Sequence, residues 1–255
     1  MNLPNAIIAG APKCGTTSLS KFLSTSDEVC LTSPKETLYW WRNHHRRPYN
    51  FFGKHYKHMT GKERVFLEAS AYTASIPYAI KRVPKDADVI YCVREPISRA
   101  YSEWLMRSLV MPGHCLPTFN REVLANLSTY SIHNCQSEID LHPYLDVNGG
   151  ILKRIIIEQG AYGTHLSRMI RHFKTSPLVI DIDHLSESIL TVCDFLGIDC
   201  PMTGMPLDNV SAHSMSRDEL QEFECFELLD EIYRPEVHLL SDTTGVDYVK
   251  EWGYR

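Results

Sequence analysis

The 255-residue sequence predicts an α/β fold: one P-loop-like domain over residues 1–255, with a central, mainly parallel β-sheet flanked by helices. Three observations predict it. An apolar run, Ala6-Ile-Ile-Ala9, passes through the loop Gly10-Ala-Pro-Lys-Cys-Gly15 into an amphipathic segment that opens with Thr16-Thr-Ser18. A second apolar run bounded by charges, Asp88-Val-Ile-Tyr-Cys-Val93, reads as a strand buried on both faces. Strand-like runs then alternate with segments of helical period, the order that builds parallel sheets.

In chain order, the apolar run at residues 6–9 gives the first strand, and Leu19, Phe22 and Leu23 at i, i+3 and i+4 mark one face of the first helix. Residues 27–31 give a short second strand. Pro34 breaks regular structure and leaves Lys35 and Glu36 on a loop or helix start near the first strand's carboxyl end. Residues 42–62 mix six basic side chains with four histidines and several aromatics. They read either as a solvated, irregular surface or as a mobile wall that attracts an anionic molecule. His44 and His45 lack cysteines or carboxylates at ligand spacing, so no metal is expected there. Residues 65–72 read as a strand, 76–82 as a short helix, and Ile97, Tyr101, Trp104 and Leu105 mark a helix after the 88–93 strand.

Residues 111–150, with Pro112, Pro117, Pro143 and Gly149-Gly150, read as an insertion of loops and short helices. Residues 155–173 read as a helix with Tyr162, Leu166, Met169, Ile170 and Phe173 on its apolar face. Residues 176–183 give another strand. Leu185, Ile189, Val192 and Leu196 give a helix stopped by Gly197, and residues 217–233 give a last long helix with an acidic outer face.

Composition narrows the function. A hydrophobic content of 44% and a charged content of 22% are those of a soluble globular chain, and no apolar run approaches membrane-span length. The first residues lack the basic region of a secretory leader. Eight scattered cysteines without a C-x-x-C pair fit reduced thiols and a cytoplasmic setting better than a zinc site or a disulfide framework. A net charge of −5 argues against nucleic acid as a partner, while a small anionic ligand still fits a locally basic pocket.

The strand–loop–helix at residues 6–23 gathers backbone N–H groups and the positive end of a helix dipole at one point. Lys13 adds a charge there, and Thr16, Thr17 and Ser18 add hydroxyls. It is not the ATPase loop, because G-x-x-x-x-G-K-[ST] would require lysine where Thr16 stands. The 88–93 strand likewise ends in Arg94 rather than in a magnesium-linked aspartate, which suits direct contact with anionic oxygens. Two such loops at the carboxyl ends of parallel strands suit a ligand with phosphates at two places.

In these motifs the chain resembles sulfotransferases that use 3′-phosphoadenosine 5′-phosphosulfate (PAPS), nearest the heparan-sulfate, tyrosylprotein and bacterial branch. Ala11-Pro-Lys-Cys-Gly-Thr-Thr-Ser18 resembles that family's 5′-phosphosulfate loop. Arg94-Glu-Pro-Ile-Ser-Arg-Ala-Tyr-Ser-Glu-Trp104 resembles its 3′-phosphate motif, and weaker similarities continue through residues 160–166, 178–197 and 233–240. The resemblance implies sulfuryl transfer from PAPS to a hydroxyl, or less readily an amine, of a small metabolite, lipid or sugar, with adenosine 3′,5′-bisphosphate as the product and no metal required. It implies that Lys13 stabilises the leaving phosphate, that Cys14, Gly15, Thr16, Thr17 and Ser18 help hold the 5′-phosphosulfate, and that Arg94 and Ser102 hold the 3′-phosphate. Arg99 either contacts the ligand or braces the loop through an ion pair.

Glu36, in Pro34-Lys-Glu-Thr-Leu-Tyr39, occupies the place of that branch's general base; its simpler role is to cap a helix or pair with Lys35. Glu68-Ala69 replaces the Glu-Lys pair of many heparan-sulfate enzymes, which leaves Glu68 as a further candidate for acceptor contact. His44 and His45 remain alternatives for the base, and the loop at residues 209–214 falls where the branch has another cofactor-side loop. Acceptor specificity is expected from residues 37–62 and 111–150. A P-loop nucleotide kinase and a non-catalytic nucleotide-binding relative are the competing readings.

Overall fold

The computed structural model describes residues 3–40, 49–57, 59–110, 118–127, 155–201 and 214–254. Its sheet has five parallel strands, β1 (Ala6–Gly10), β2 (Val29–Leu31), β3 (Val65–Glu68), β4 (Asp88–Val93) and β5 (Leu178–Asp181), in the order β2-β3-β1-β4-β5. The helices are α1 (Thr16–Leu23), α2 (Pro77–Ile80), α3 (Pro96–Val110), α4 (Phe119–Leu127), α5 (Tyr162–His172), α6 (Leu185–Leu196), α7 (Arg217–Leu220), α8 (Phe226–Thr244) and α9 (Tyr248–Glu251). Single 3-10 turns lie at Tyr49–Lys54, Glu158–Gly160 and Ile182–His184.

β1 sits between β3 and β4, with Ala6 opposite both Leu67 and Asp88. Every residue of β1 and all of β4 after Asp88 are buried, which is why both read as unbroken apolar runs. From β1 the chain leaves toward β2, and from β4 it leaves toward β5, so the two strands diverge at a topological switch point. Ligands of open α/β sheets bind beyond the carboxyl ends of such strands.

Contacts group the chain into two compact units, Met1–Val93 with Arg168–Asn209, and Arg94–Ser167 with Val210–Arg255. The first holds the whole sheet with α1, α2 and α6. Leu19, Phe22 and Leu23 of α1 are buried as their spacing predicts, and α6 ends at Gly197 in the left-handed conformation. Most of the described part of residues 42–62 is exposed, as a solvated, irregular surface would be, with two of its aromatic rings turned inward. Tyr39, Trp40, Phe52 and Tyr56 are buried, and the Tyr39 ring lies 5.0 Å from Trp40 and 4.6 Å from Phe52. These buried aromatics tie the stretch to the core, while Lys54, Lys57 and Lys62 are exposed.

In the second unit α3 carries a fully buried ion triad at helical spacing. Glu103 stands 2.5 Å from both Arg99 and Arg107, and Arg99 also donates to the Ile156 carbonyl. Residues 155–173 are not one helix. Ile155, Ile156 and Ile157 are buried in a non-helical stretch, and α5 starts only at Tyr162. At Gly160 a Cβ would lie 2.6 Å from the Tyr233 ring, so close packing rather than helical period governs the backbone there. Ile170, expected on the buried face of α5, is 40% exposed.

The expected 217–233 helix is two helices, and α8 runs on through Pro235 to Thr244. Phe226, Leu229, Tyr233, Val237 and Leu240 are all buried on it, and that continuous stripe outweighs the proline, whose interior cost is about 3 kcal/mol.

Gly10 closes β1 with φ 144°, and a Cβ there would stand 2.4 Å from the Ala71 carbonyl oxygen. A backbone oxygen cannot swing aside as a side chain can. Gly10→Ala is therefore expected to destabilise the protein by about 3 kcal/mol in urea unfolding, from strain plus collision. A loss under about 1 kcal/mol would show that β3 and its following turn yield easily.

Candidate active site

The loop after β1 is anchored first and curled second. Ala11 N donates to the Cys92 carbonyl of β4 at 2.7 Å, fixing the start of the loop. Lys13 (φ 68°) and Gly15 (φ 69°) are both left-handed, so the chain coils tightly into α1. Gly15 is the N-cap of α1 and supplies no side-chain cap. Gly15 thus brings no capping oxygen of its own to the first turn, whose amides lie at the positive end of the helix. A Cβ at Gly15 would lie 1.9 Å from Ile182 Cδ1, so the loop has no room for a side chain on that side.

Around this cradle Lys13 and Thr17 are partly exposed, while Thr16 and Ser18 are buried. The Cys14 thiol is buried and donates to the Pro12 carbonyl at 3.7 Å, and its backbone N–H donates to the Ala11 carbonyl at 3.3 Å, so both help set the curl of the loop. A cation, hydroxyls and helix-start amides around a glycine form a donor set that fits a phosphate or sulfate group.

Glu36 lies on an irregular stretch and caps no helix. Its Oε1 is 3.0 Å from Lys35 Nζ, so the pairing with Lys35 is present, and more than a third of its side chain is exposed. The Lys35 ammonium also acts on the Cys92 thiol, whose pKa burial and neighbouring Cys14 push up and Lys35 pulls down. Lys35, Cys14 and the end of β4 are thus neighbours in one electrostatic environment.

Glu68, at the end of β3, is completely buried. Its Oε1 accepts from Thr37 Oγ1 at 2.8 Å and from the Ser70 hydroxyl, and its Oε2 has no hydrogen-bond partner. Burial pushes its carboxyl above the ordinary range, against the pull of the Ser70 and Thr37 hydrogen bonds, and the charge of Glu36 pushes the same way as burial.

The first unit also holds a cavity of about 670 Å³, lined by Thr17 and Lys21 of α1, by Ser24 directly after it, by Lys35 and Lys57, and by Glu63. It adjoins the loop through Thr17 and the Glu36 stretch through Lys35. Asp27, on its wall, pairs with Lys62 at 2.9 Å, and Glu63 accepts from Thr60 and Gly61 amides, so both carboxylates are engaged.

In the second unit Arg94 is partly exposed directly after β4, and Ser102 is buried on α3. Between them Glu95 caps α3, accepting from Ile97 N at 3.1 Å and Ser98 N at 2.6 Å. It also accepts from Arg217 at 3.3 Å and from the Tyr254 hydroxyl at 2.8 Å. Arg99 is enclosed in its ion pair with Glu103, which is the bracing role and not the ligand role. His44, His45 and residues 209–213 lie outside the described residues, and Ser214 is exposed.

The sequence pattern of the sulfotransferase domain matches residues 3–239. The chain belongs to the sulfotransferase domain family. Sulfotransferases of this family take their sulfuryl group from PAPS. Among relatives, this family member is 25% identical over 202 residues to mouse heparan sulfate glucosamine 3-O-sulfotransferase 3B1, covering 77% of this chain and 46% of that one. It is 28% identical over 121 residues to the membrane-associated sulfotransferase kil1 of Dictyostelium discoideum, covering 43% of this chain and 26% of that one. The chain thus spans about half, or about a quarter, of the length of these relatives. Among solved structures, a sulfotransferase from Alicyclobacillus acidocaldarius superposes with a TM-score of 0.71 at 20% identity, covering 99% of this chain and 100% of that one, a likeness of fold. No helix among the described residues is long and apolar enough to cross a membrane.

Two parts of this sulfotransferase-family architecture escape sequence reading. The cavity wall at α1 was signalled only by Thr17, Lys21 and Ser24 at helical spacing, a pattern that any solvated face shows. The Glu95 hub joins residues 122 and 159 positions apart, which no local pattern reveals.

Proposed function

We propose that the protein transfers a sulfuryl group from PAPS to a hydroxyl of a polyhydroxylated acceptor, with Lys13 and Glu36 as catalytic residues. The observation that carries the reading is the start of α1: a helix without a side-chain cap, entered through left-handed Lys13 and Gly15. In the displacement a bond forms between the acceptor oxygen and sulfur while the bond from sulfur to the 5′-phosphate oxygen breaks. Glu36 takes the acceptor's proton. Lys13 and the amides of residues 15–18 meet the charge that grows on the departing phosphate oxygen, a preorganised electrostatic contribution. Cys14 helps hold the 5′-phosphosulfate by fixing the loop, its N–H donating to the Ala11 carbonyl. Thr16, Thr17 and Ser18 hold the 5′-phosphate, and Arg94 and Ser102 take the 3′-phosphate, Arg94 by a charge-assisted contact. No step in this scheme calls for a metal.

The acceptor enters the cavity between α1 and the Lys35–Glu36 stretch. Its hydroxyl-bearing wall suits a sugar, and Lys57 on the same wall suits negative charge on it. The sulfated glycan named for the mouse relative is one acceptor of this chemistry.

Two measurements test the reading. Adenosine 3′,5′-bisphosphate at a hundred times its Kd is expected to stabilise the protein by about 2.7 kcal/mol, and magnesium-ATP by far less. The reverse order would favour the kinase reading. Glu36→Gln is expected to lower kcat about a hundred- to ten-thousandfold with labelled PAPS and a panel of heparan sulfate hexasaccharide, cellobiose and 4-nitrophenol. Undiminished turnover would remove Glu36 as the base.

A further inference from the structure

We propose that Glu68 is a positioning residue for Glu36, fixing the backbone that carries the base. The inference rests on the assignment of Glu36 to proton abstraction. Its foundation is a convergence of hydrogen bonds just after Glu36. The amides of Thr37, Leu38 and Tyr39 all lead to one oxygen, Glu68 Oε1. Thr37 N donates to it directly, at 3.4 Å. Leu38 N donates to Ser70 Oγ at 3.3 Å, and that hydroxyl donates in turn to Glu68 Oε1. Tyr39 N donates to Thr37 Oγ1 at 3.3 Å, and this hydroxyl donates to Glu68 Oε1 at 2.8 Å.

On the other side, Thr32 Oγ1 donates to the Lys35 carbonyl at 3.0 Å. The base therefore stands between two backbone anchors. The anchoring is needed, because Leu38 sits at φ 57°, a left-handed conformation that is unfavourable for a residue with a Cβ and relaxes unless its surroundings enforce it. The anchor is also costly. A fully buried carboxyl with an unpartnered Oε2 is worse for stability than an apolar side chain of similar size. Packing alone does not call for glutamate at the end of β3. A collecting point for successive donors does, since a carboxylate oxygen accepts several bonds at once.

The test uses the full chain with Glu68→Ala, Glu68→Gln and the pair Thr37→Val with Ser70→Ala, each also in a Glu36→Ala background. Glu68→Ala is expected to lower kcat about thirtyfold on the same acceptor panel while the Kd of adenosine 3′,5′-bisphosphate stays within about twofold. Glu68→Gln keeps an accepting oxygen and is expected to stay within about fivefold of the parent. In the Glu36→Ala background, where no base remains to be placed, Glu68→Ala is expected to add less than about a twofold loss. Hydrogen exchange gives a readout independent of any acceptor: amides 37–39 are expected to exchange about tenfold faster in Glu68→Ala, with those of β1 unchanged.

Equal losses in both backgrounds, lost product affinity with kcat retained, or unchanged exchange at residues 37–39 would each overturn the proposal. If Glu68→Ala does not fold, the Thr37→Val, Ser70→Ala pair carries the same comparisons. Full turnover by Glu36→Ala would remove the base assignment itself. An inert Glu36→Ala beside a fully active Glu68→Ala would remove only the positioning role.

Discussion

Lys13→Gly is expected to lower kcat about a hundred- to a thousandfold, the usual effect of removing one donor to a developing charge, while relieving a left-handed backbone of its strain. The two effects come from one residue because Lys13 combines a cationic side chain with φ 68°. Left-handed backbone costs a residue with a Cβ about 1–2 kcal/mol, which glycine does not incur. Glycine loses about 0.5–1 kcal/mol of this through the greater freedom of its unfolded chain. The backbone relief is about 0.5–1 kcal/mol, or a few degrees in Tm for a chain of this length, and the loss of the lysine side chain's own contacts subtracts from it. Rates with labelled PAPS and thermal unfolding measure the two halves separately. A variant that kept a tenth of the parent kcat would show that the loop amides stabilise the leaving phosphate without Lys13. A variant that melted earlier would show that the lysine contributes more to the fold than its backbone strain removes.

The largest expected loss of stability lies in α3. Glu103→Ala leaves Arg99 and Arg107 buried without their shared carboxylate and is expected to cost about 3–5 kcal/mol in urea unfolding. Replacing all three residues with apolar side chains of similar volume is expected to recover most of that loss, since the triad's desolvation cost disappears with it. A pH series adds a sign. Burial pushes the Glu103 carboxyl up, but Arg107 and Arg99 together hold it below its ordinary value of 4.5. A carboxyl lowered by folding adds stability at pH values above its unfolded pKa and loses it as pH falls through the folded one. The gap between parent and Glu103→Gln is thus expected to stay level from pH 8 to about 5 and to narrow in more acid solution. A gap that widened toward acid would contradict the ion-triad account.

What the sequence made legible divides along the range of the forces involved. β4 was readable to the residue because burial on both faces leaves an unbroken apolar run between charges. α1 and the Gly197 stop were readable because their signals are local: spacing of apolar residues and a left-handed glycine. The true start of α5 was not, because the Tyr233 ring fills the space beside Gly160. Nor was the passage of α8 through Pro235, which depends on a buried stripe reaching Leu240. At the candidate site the strand–loop–helix geometry around Lys13 to Ser18 was written in adjacent residues. The burial of Glu68 and its collection of the 37–39 amides was not, because those groups are 31 and 32 residues away in sequence.

The Glu95 hub has a consequence for how the chain is made. Its bond from Tyr254 spans 159 residues, so a ribosome that has released Glu95 must still add all of them before the contact can form. At ordinary synthesis rates that delay is roughly 8–30 seconds. During it the nascent α3 start has its own amides capped by Glu95 but lacks Arg217 and Tyr254, leaving a carboxylate that waits for its cation. The turn bearing Arg94 is thus finished late in synthesis.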